Sequence, residues 1–262
     1  MIAAARLRRV QAKAAAARPY AERLTVLLQD VLASGAGVRH PLLVQRPLKR
    51  VGLVVISSDR GLCGAFNAAI LRVAGEFVEK QTAEVGLIVV GCKAREFFHR
   101  TGIEVDQAFP QPSHEVGLAE VGEIRQQILA RYNNGLYDQI HLAYASFVGV
   151  LKTEPVVTQL LPIPPMGAEA GLARRGTAHG FEPSADELLG ALLPQYVEAV
   201  LYRALVESLA GEQAARMIAM QTATDSATDM IESLTRQYNR LRQTAITTQL
   251  LEVVSGAEAL ES

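Results

Sequence analysis

The residues of this chain that could do chemistry gather in one turn, Ser57-Ser-Asp-Arg-Gly-Leu-Cys-Gly64. It follows a short apolar run, Val51–Ile56, and precedes a helix-type pattern from about Ala65 to Glu79. Phosphate loops occupy that position, where backbone N–H groups at a helix start meet an anion. The residues match neither G-x-x-x-x-G-K-[ST] nor G-x-G-x-x-G, so no nucleotide site is expected here. Asp59 and Arg60 read instead as local partners or caps of the turn. Cys63 could be a nucleophile only with a base beside it, and the histidines (His40, His99, His114, His141, His179) show no linked spacing. No H-E-x-x-H or comparable metal pattern occurs among the scattered carboxylates. The expectation is a chain with no catalytic residues, metal or cofactor of its own.

The totals narrow the class. The 262 residues carry 26 Lys and Arg against 27 Asp and Glu, a net charge of −1, so a polyanionic partner would have to meet a local patch. The two cysteines, Cys63 and Cys92, read as reduced thiols rather than a disulfide framework or zinc site. Apolar content of 49% suffices for a core, while 5% aromatic residues and no Trp argue against a large β-rich fold. No apolar run is long enough for a membrane span. The Ala- and Arg-rich start has the composition of an organellar targeting segment, but its helical pattern continues past any cleavage point.

In chain order, Leu7, Val10, Ala14, Ala17, Ala21, Leu24, Leu28 and Val31 alternate three and four apart, the period of a supercoiled seam. Pro19 should bend or loosen that helix. Ser34–Gly37 and Pro41 end it. From Val51 the pattern changes to strands at about 51–56, 85–90 and 139–147, alternating with helices at about 65–79, 94–100 and 118–132. This order predicts βαβ units in a mostly parallel sheet. Thr153–Leu161, flanked by Pro155 and Pro162, predicts an edge strand. Pro162–Pro183 reads as a loop, and Ser184-Ala-Asp-Glu187 as a capping box opening a helix. Pro194 then kinks that helix or sits in the first turn of a longer one. From about Gln195 to Leu260 the chain reads as one helix, on the order of 100 Å long at the α-helical rise. Met220, Ala223, Ala227, Ile231, Leu234, Tyr238, Leu241 and Ala245 form a second seam, which steps to Ile246, Leu250, Val253, Ala257 and Leu260. The two seams predict an antiparallel coiled coil with an α/β domain inserted between its arms: residues 1–36, 48–183 and 184–262.

Several motifs carry a family resemblance. S-S-D-R-G-L-C-G-A-F-N at Ser57–Asn67, F-E-P-S at Phe181–Ser184 and A-A-R-M-I-A-M-Q-T-A-T-D at Ala214–Asp225 are similar to the gamma subunit of F-type ATP synthases. So are Y-N-R-L-R-Q-T-A-I-T at Tyr238–Thr247 and G-A-E-A-L at Gly256–Leu260, and the likeness runs the length of the chain. The resemblance implies the central-stalk rotor of a proton-translocating complex, in which the coiled coil stands inside an alpha/beta hexamer. Epsilon and the c-ring would join at the inserted domain. No nucleic acid or directly bound nucleotide is implied. The chain would be peripheral to a membrane, at the cytoplasmic face of a bacterial plasma membrane rather than in an organelle.

By the same resemblance, Arg242 and Gln243 match positions that hydrogen-bond a beta-subunit loop. Thr247 and Gln249 fall in the same contact region, and Arg6, Arg8 and Arg9 match a basic patch facing acidic beta-subunit loops. There are three departures. The family's chain begins earlier, with a basic helical segment, and without such a segment part of the stripe near Ala223–Tyr238 would stay uncovered. Gln249 replaces a typical Glu, which puts one ion-pair contact in doubt. The cysteine-bearing insertion of the chloroplast form is absent, so thiol switching is not expected. Two competing readings are a soluble α/β enzyme, which requires a ligand pocket, and a coiled-coil scaffold or nucleic-acid binder, which requires salt-dependent binding through its basic helix.

Overall fold

The computed structural model describes residues 2–33, 40–112, 116–164 and 185–261. They fall into two compact units, Met1–Met217 and Ile218–Ser262. The expected turn at Ser34–Gly37, the loop at 165–183 and the capping Ser184 lie outside the described residues.

In the first unit the chain runs α1 (Ile2–Ala33), β1 (Arg50–Ile56), α2 (Phe66–Lys80), β2 (Glu84–Val90), α3 (Cys92–Arg100), β3 (Val105–Phe109), α4 (Leu118–Asn133), β4 (Gln139–Gly149), β5 (Lys152–Leu161) and the start of α5 (Ala185–Glu261). The five strands lie in the order β3-β2-β1-β4-β5. Pairings among β1, β2, β3 and β4 are parallel, and only β4 with β5 is antiparallel. β5 is the expected edge, and it tolerates Pro155 because an edge strand has a side with no ladder to supply. β3 was not expected: Val-Asp-Gln-Ala-Phe is short and polar in its middle, and as the other edge strand it needs little apolar surface.

Both faces of the sheet are covered, which is why its central strands read as unbroken apolar runs. Val54, Ile56, Ile88, Val90, Ile140 and Leu142 share a cluster with α4 (Val121, Ile124, Ile128, Tyr132), α1 and α5. Leu53, Val55, Leu87, Val89 and Ala143 pack on the other side with Ile70 and Ala74 of α2 and Ala94 and Phe98 of α3. The N-terminal edge of the sheet is pinned by one side chain. The Tyr137 ring lies across Gly52 and Gly86, which are register partners on β1 and β2. Its hydroxyl donates to Asp106 on β3, and Arg50 bridges the same carboxylate at 3.4 Å. Burial, reinforced by the hydrogen bond to Asp106, pushes the Tyr137 phenol far above its ordinary range.

The helical arms correct the sequence reading in two respects. α5 begins at Ala185 and runs through Pro194 as a single helix of 77 residues, so Pro194 lies inside the helix and not in the first turn of a separate one. The seam of α1 also has a different partner. Leu7, Val10, Leu28 and Val31 share their cluster with Leu189, Leu193, Val197, Leu201 and Leu205, which precede the predicted second seam. The 32 residues of α1 cannot cover 77, and they satisfy the apolar stripe nearest the sheet.

In the second unit every described side chain from Gln221 to Ala257 is exposed, Ala223–Tyr238 included. Five of its threonines satisfy their hydroxyls within the helix. Thr224, Thr228, Thr235, Thr244 and Thr247 each donate a hydroxyl to the carbonyl four residues back, at 2.8–3.0 Å.

The glycines offer a contrast that tests this packing. A Cβ at Gly86 would sit 2.2 Å from an Asp106 carboxylate oxygen and 2.7 Å from the Tyr137 ring, whereas one at Gly75, within α2, would meet nothing. Gly86→Ala should therefore lower the unfolding free energy by roughly 2–3 kcal/mol through overpacking. Gly75→Ala should raise it by about 0.5–1 kcal/mol, the helical Gly-to-Ala difference. Urea titration of the two variants measures both signs.

Candidate functional site

In an open α/β sheet the strand order reverses where a ligand crevice forms, outside the carboxyl ends of the strands. Here the reversal lies between β1 and β4, and the turn Ser57–Gly64 leaves the carboxyl end of β1. The turn itself occupies the N–H groups of the neighbouring helix α3, which follows β2. At the start of α3, the N–H of Cys92 donates to Asp59 Oδ1 at 2.8 Å, that of Lys93 to the Ser58 carbonyl at 3.1 Å, and that of Ala94 to Ser57 Oγ at 2.9 Å. An internal carboxylate thus sits where a phosphate would, a favourable position for negative charge at a helix N-terminus. Asp59 is a cap, as the sequence implied, but it caps α3 rather than its own turn.

The thiols are structural. Cys63 is buried, and its Sγ receives the Asn67 amide at 3.2 Å, with Ser58 closing the same small cluster. The Cys92 thiol is pushed up by burial and by the neighbouring Asp59, away from the reactive thiolate form. Leu62 holds a left-handed backbone (φ 61°) with its side chain 74% exposed at the tip of the turn.

Over this turn lies α5. Ser208 Oγ accepts from the Ala145 N–H at 3.0 Å, and Ser146 on β4 donates to Glu207 at 3.1 Å. Gly211 allows the helix to approach: a Cβ there would sit 2.8 Å from the Thr153 methyl and 3.4 Å from the Phe66 ring. One turn onward the contact becomes ionic. Glu212 receives the Gln111 amide and the Arg216 guanidinium, each at 2.5 Å. Arg216 also donates to the carbonyls of Arg60 at 3.3 Å and Gly61 at 3.1 Å. Glu207, Ser208, Glu212 and Gln213 are all buried. The crevice of the sheet is filled by the chain's own helix.

A cavity of about 720 Å³ lies among α1, α4 and α5, lined by Lys13, Tyr20, Leu118, Arg125, Glu198 and Tyr202 among others. Its Arg125 and Glu198 are engaged with each other at 2.5 Å, and no histidine or cysteine faces it. Among the described residues no cluster of His, Cys, Asp and Glu could hold a metal ion. None of their helices is long and apolar enough to cross a membrane.

The residues singled out by resemblance fall in both units. Arg8 and Arg9 are exposed on α1, and Arg6 is half-buried. Arg242, Gln243, Thr247 and Gln249 are exposed on α5. Helical spacing puts Gln243 and Thr247 on one face, joined by a bond from the Thr247 hydroxyl to the Gln243 carbonyl. The same unit also carries Met230, Ile231, Leu234, Tyr238, Leu241, Leu250, Leu251, Val253 and Val254, each more than half exposed. Sequence reasoning missed Gln111, Glu212 and Arg216. The signal for two of them was present: an i,i+4 Glu–Arg pair set in an apolar, glycine-containing stretch where charge would otherwise be costly.

Comparison with known proteins agrees with this architecture. Residues 1–260 match the ATP synthase family model. The ATP synthase gamma chain of Pelotomaculum thermopropionicum is 44% identical over 99% of this chain and 91% of its own length. That of Heliobacterium modesticaldum is 43% identical over the same shares. Among solved structures, a chain of the central stalk and c-ring of Tetrahymena thermophila mitochondrial ATP synthase aligns with TM-score 0.59 and 25% identity, covering 86% of this chain and all of that one. A chain of the Euglena gracilis mitochondrial enzyme shares the fold at TM-score 0.62 and 17% identity, over 97% of this chain and 94% of its own. This chain belongs to the ATP synthase gamma chain family.

Proposed function

We propose that this chain is the central-stalk rotor of a proton-translocating F-type ATP synthase, turned by a c-ring and read by a surrounding alpha/beta hexamer. The observation that carries the reading is the uncovered apolar face of the C-terminal unit. A water-facing helix has no reason to expose nine large apolar side chains between Met230 and Val254, and such patches mark protein contact. Residues 1–36 and 184–262 serve as the arms of the shaft and 48–183 as the body that meets epsilon and the ring. The complex works at the cytoplasmic face of a bacterial plasma membrane. The bacterial relatives and the lack of a membrane-crossing helix among the described residues support that placement.

Function then follows from contact energies. A ligand or partner shifts a conformational equilibrium only by its differential affinity for the two states. An asymmetric helix turning inside three catalytic pairs offers each pair a different set of contacts, so each angle favours a different conformation at each site. Arg242 and Gln243 supply directional bonds to a beta-subunit loop, and Thr247 and Gln249 extend the contact. Arg6, Arg8 and Arg9 offer a basic patch to acidic loops, a term that salt screens.

Purified alone, the chain should hydrolyse no ATP; combined with cognate alpha and beta subunits, it should yield an active complex. Failure to assemble would sink the proposal. Arg242→Ala or Gln243→Ala should lower ATPase turnover of that complex roughly tenfold, the scale of an interface hot spot. Gln249→Glu should raise the ratio of ATP made to ions moved, measured in vesicles holding the whole complex; an unchanged ratio would dispose of a coupling role for this position.

A further inference from the structure

The first unit contains one closed ring of polar contacts between the sheet and α5, and Gln111 is its bridge. Gln111 lies just beyond the end of β3. Its Oε1 accepts from the Asp59 N–H at 3.0 Å, while its Nε2 donates to Glu212. Glu212 holds Arg216, and Arg216 returns to the carbonyls of Arg60 and Gly61, next in sequence to Asp59. Every member is therefore held from two sides. One turn earlier α5 bonds β4 through Ser208 and Glu207, and beside the ring Gly211 packs on Thr153 and Phe66. Apolar packing holds a helix against a surface but has no directional preference, so by itself it lets the helix turn about its axis or slide. Charge-assisted hydrogen bonds have narrow geometry and resist both.

Burying the Glu212–Arg216 pair is not the economical way to gain stability, because an apolar replacement of similar volume commonly does as well or better. What the ionic ring adds, beyond the Ser208 and Glu207 bonds to β4, is a second fixed point one turn along α5, and two such points set its rotation on the sheet. α5 continues as one helix to Glu261. Resting on the rotor reading above, we propose that this ring is the key through which the α/β body turns the long helix, with Gln111 the positioning residue that locks it.

The test uses the complete synthase in sealed vesicles, with ATP hydrolysis and ion pumping measured on the same preparation. Gln111→Glu sets a carboxylate against Glu212 and should lower ions pumped per ATP hydrolysed by roughly tenfold, the lower end of the scale for losing one hydrogen bond to a charged group. Hydrolysis itself should persist. Adding Glu212→Gln restores a donor–acceptor pair of opposite sense and should return the ratio to near the parent value. An unchanged ratio in Gln111→Glu, or no recovery in the double variant, overturns the proposal. Gln111→Ala, which adds no charge, should show the same fall; if neither single variant enters the complex, the link serves folding alone and the proposal is again overturned. A parent complex that hydrolyses but does not pump speaks against the rotor reading, whereas a defect confined to the variants concerns the ring.

Discussion

A carboxylate with almost no access to water must find its compensation inside the protein, and Glu212 is such a group. The partners it recruits come from distant parts of the chain: Gln111 from the loop after β3, and Arg216 from the next turn of its own helix. Those partners in turn fix the turn after β1. The way α5 is seated therefore depends on this buried charge, on Glu207 and Ser208 one turn earlier, and on the glycine between them, which brings the helix close enough for the bonds to form.

The sheet itself has the topology of a ligand-binding fold, yet the place where such folds bind is closed. Two substitutes accomplish this. Asp59, Ser58 and Ser57 satisfy the N–H groups at the start of α3, and Ser208 and Glu207 of α5 bond the far end of β4. A fold is thus separated from the chemistry it commonly hosts. The crevice has become a socket for a helix.

Much of this was legible in the sequence. The apolar runs at β1 and β2 and the helical spacing of α2 and α4 fall within a residue or two of their observed bounds, because burial on both faces leaves a continuous signal. β3 was not legible, since an edge strand with Asp106 and Gln107 at its centre carries no such run. The seam of α1 was correctly spaced, but a three–four pattern cannot say which of two stripes on a 77-residue helix it will meet. The stripe at Leu189–Leu205 competes on equal terms with the one beyond Met220, and proximity to the sheet decides. The ring at Glu212 was invisible for another reason. Gln111 and Glu212 are 101 positions apart, and a single sequence carries no record of such a pairing.

The threonines of the C-terminal unit have a consequence of their own. Thr224, Thr228, Thr235, Thr244 and Thr247 turn their hydroxyls back onto the carbonyl four residues earlier, so those five donors are spent within the helix. A surface of methyls and aliphatic chains grips a neighbour by area, and area changes smoothly as one body slides past another. Hydrogen bonds would have to break and re-form at each step, and every such event would add a barrier. At these five positions the helix offers a neighbour area without bonds that must break and re-form.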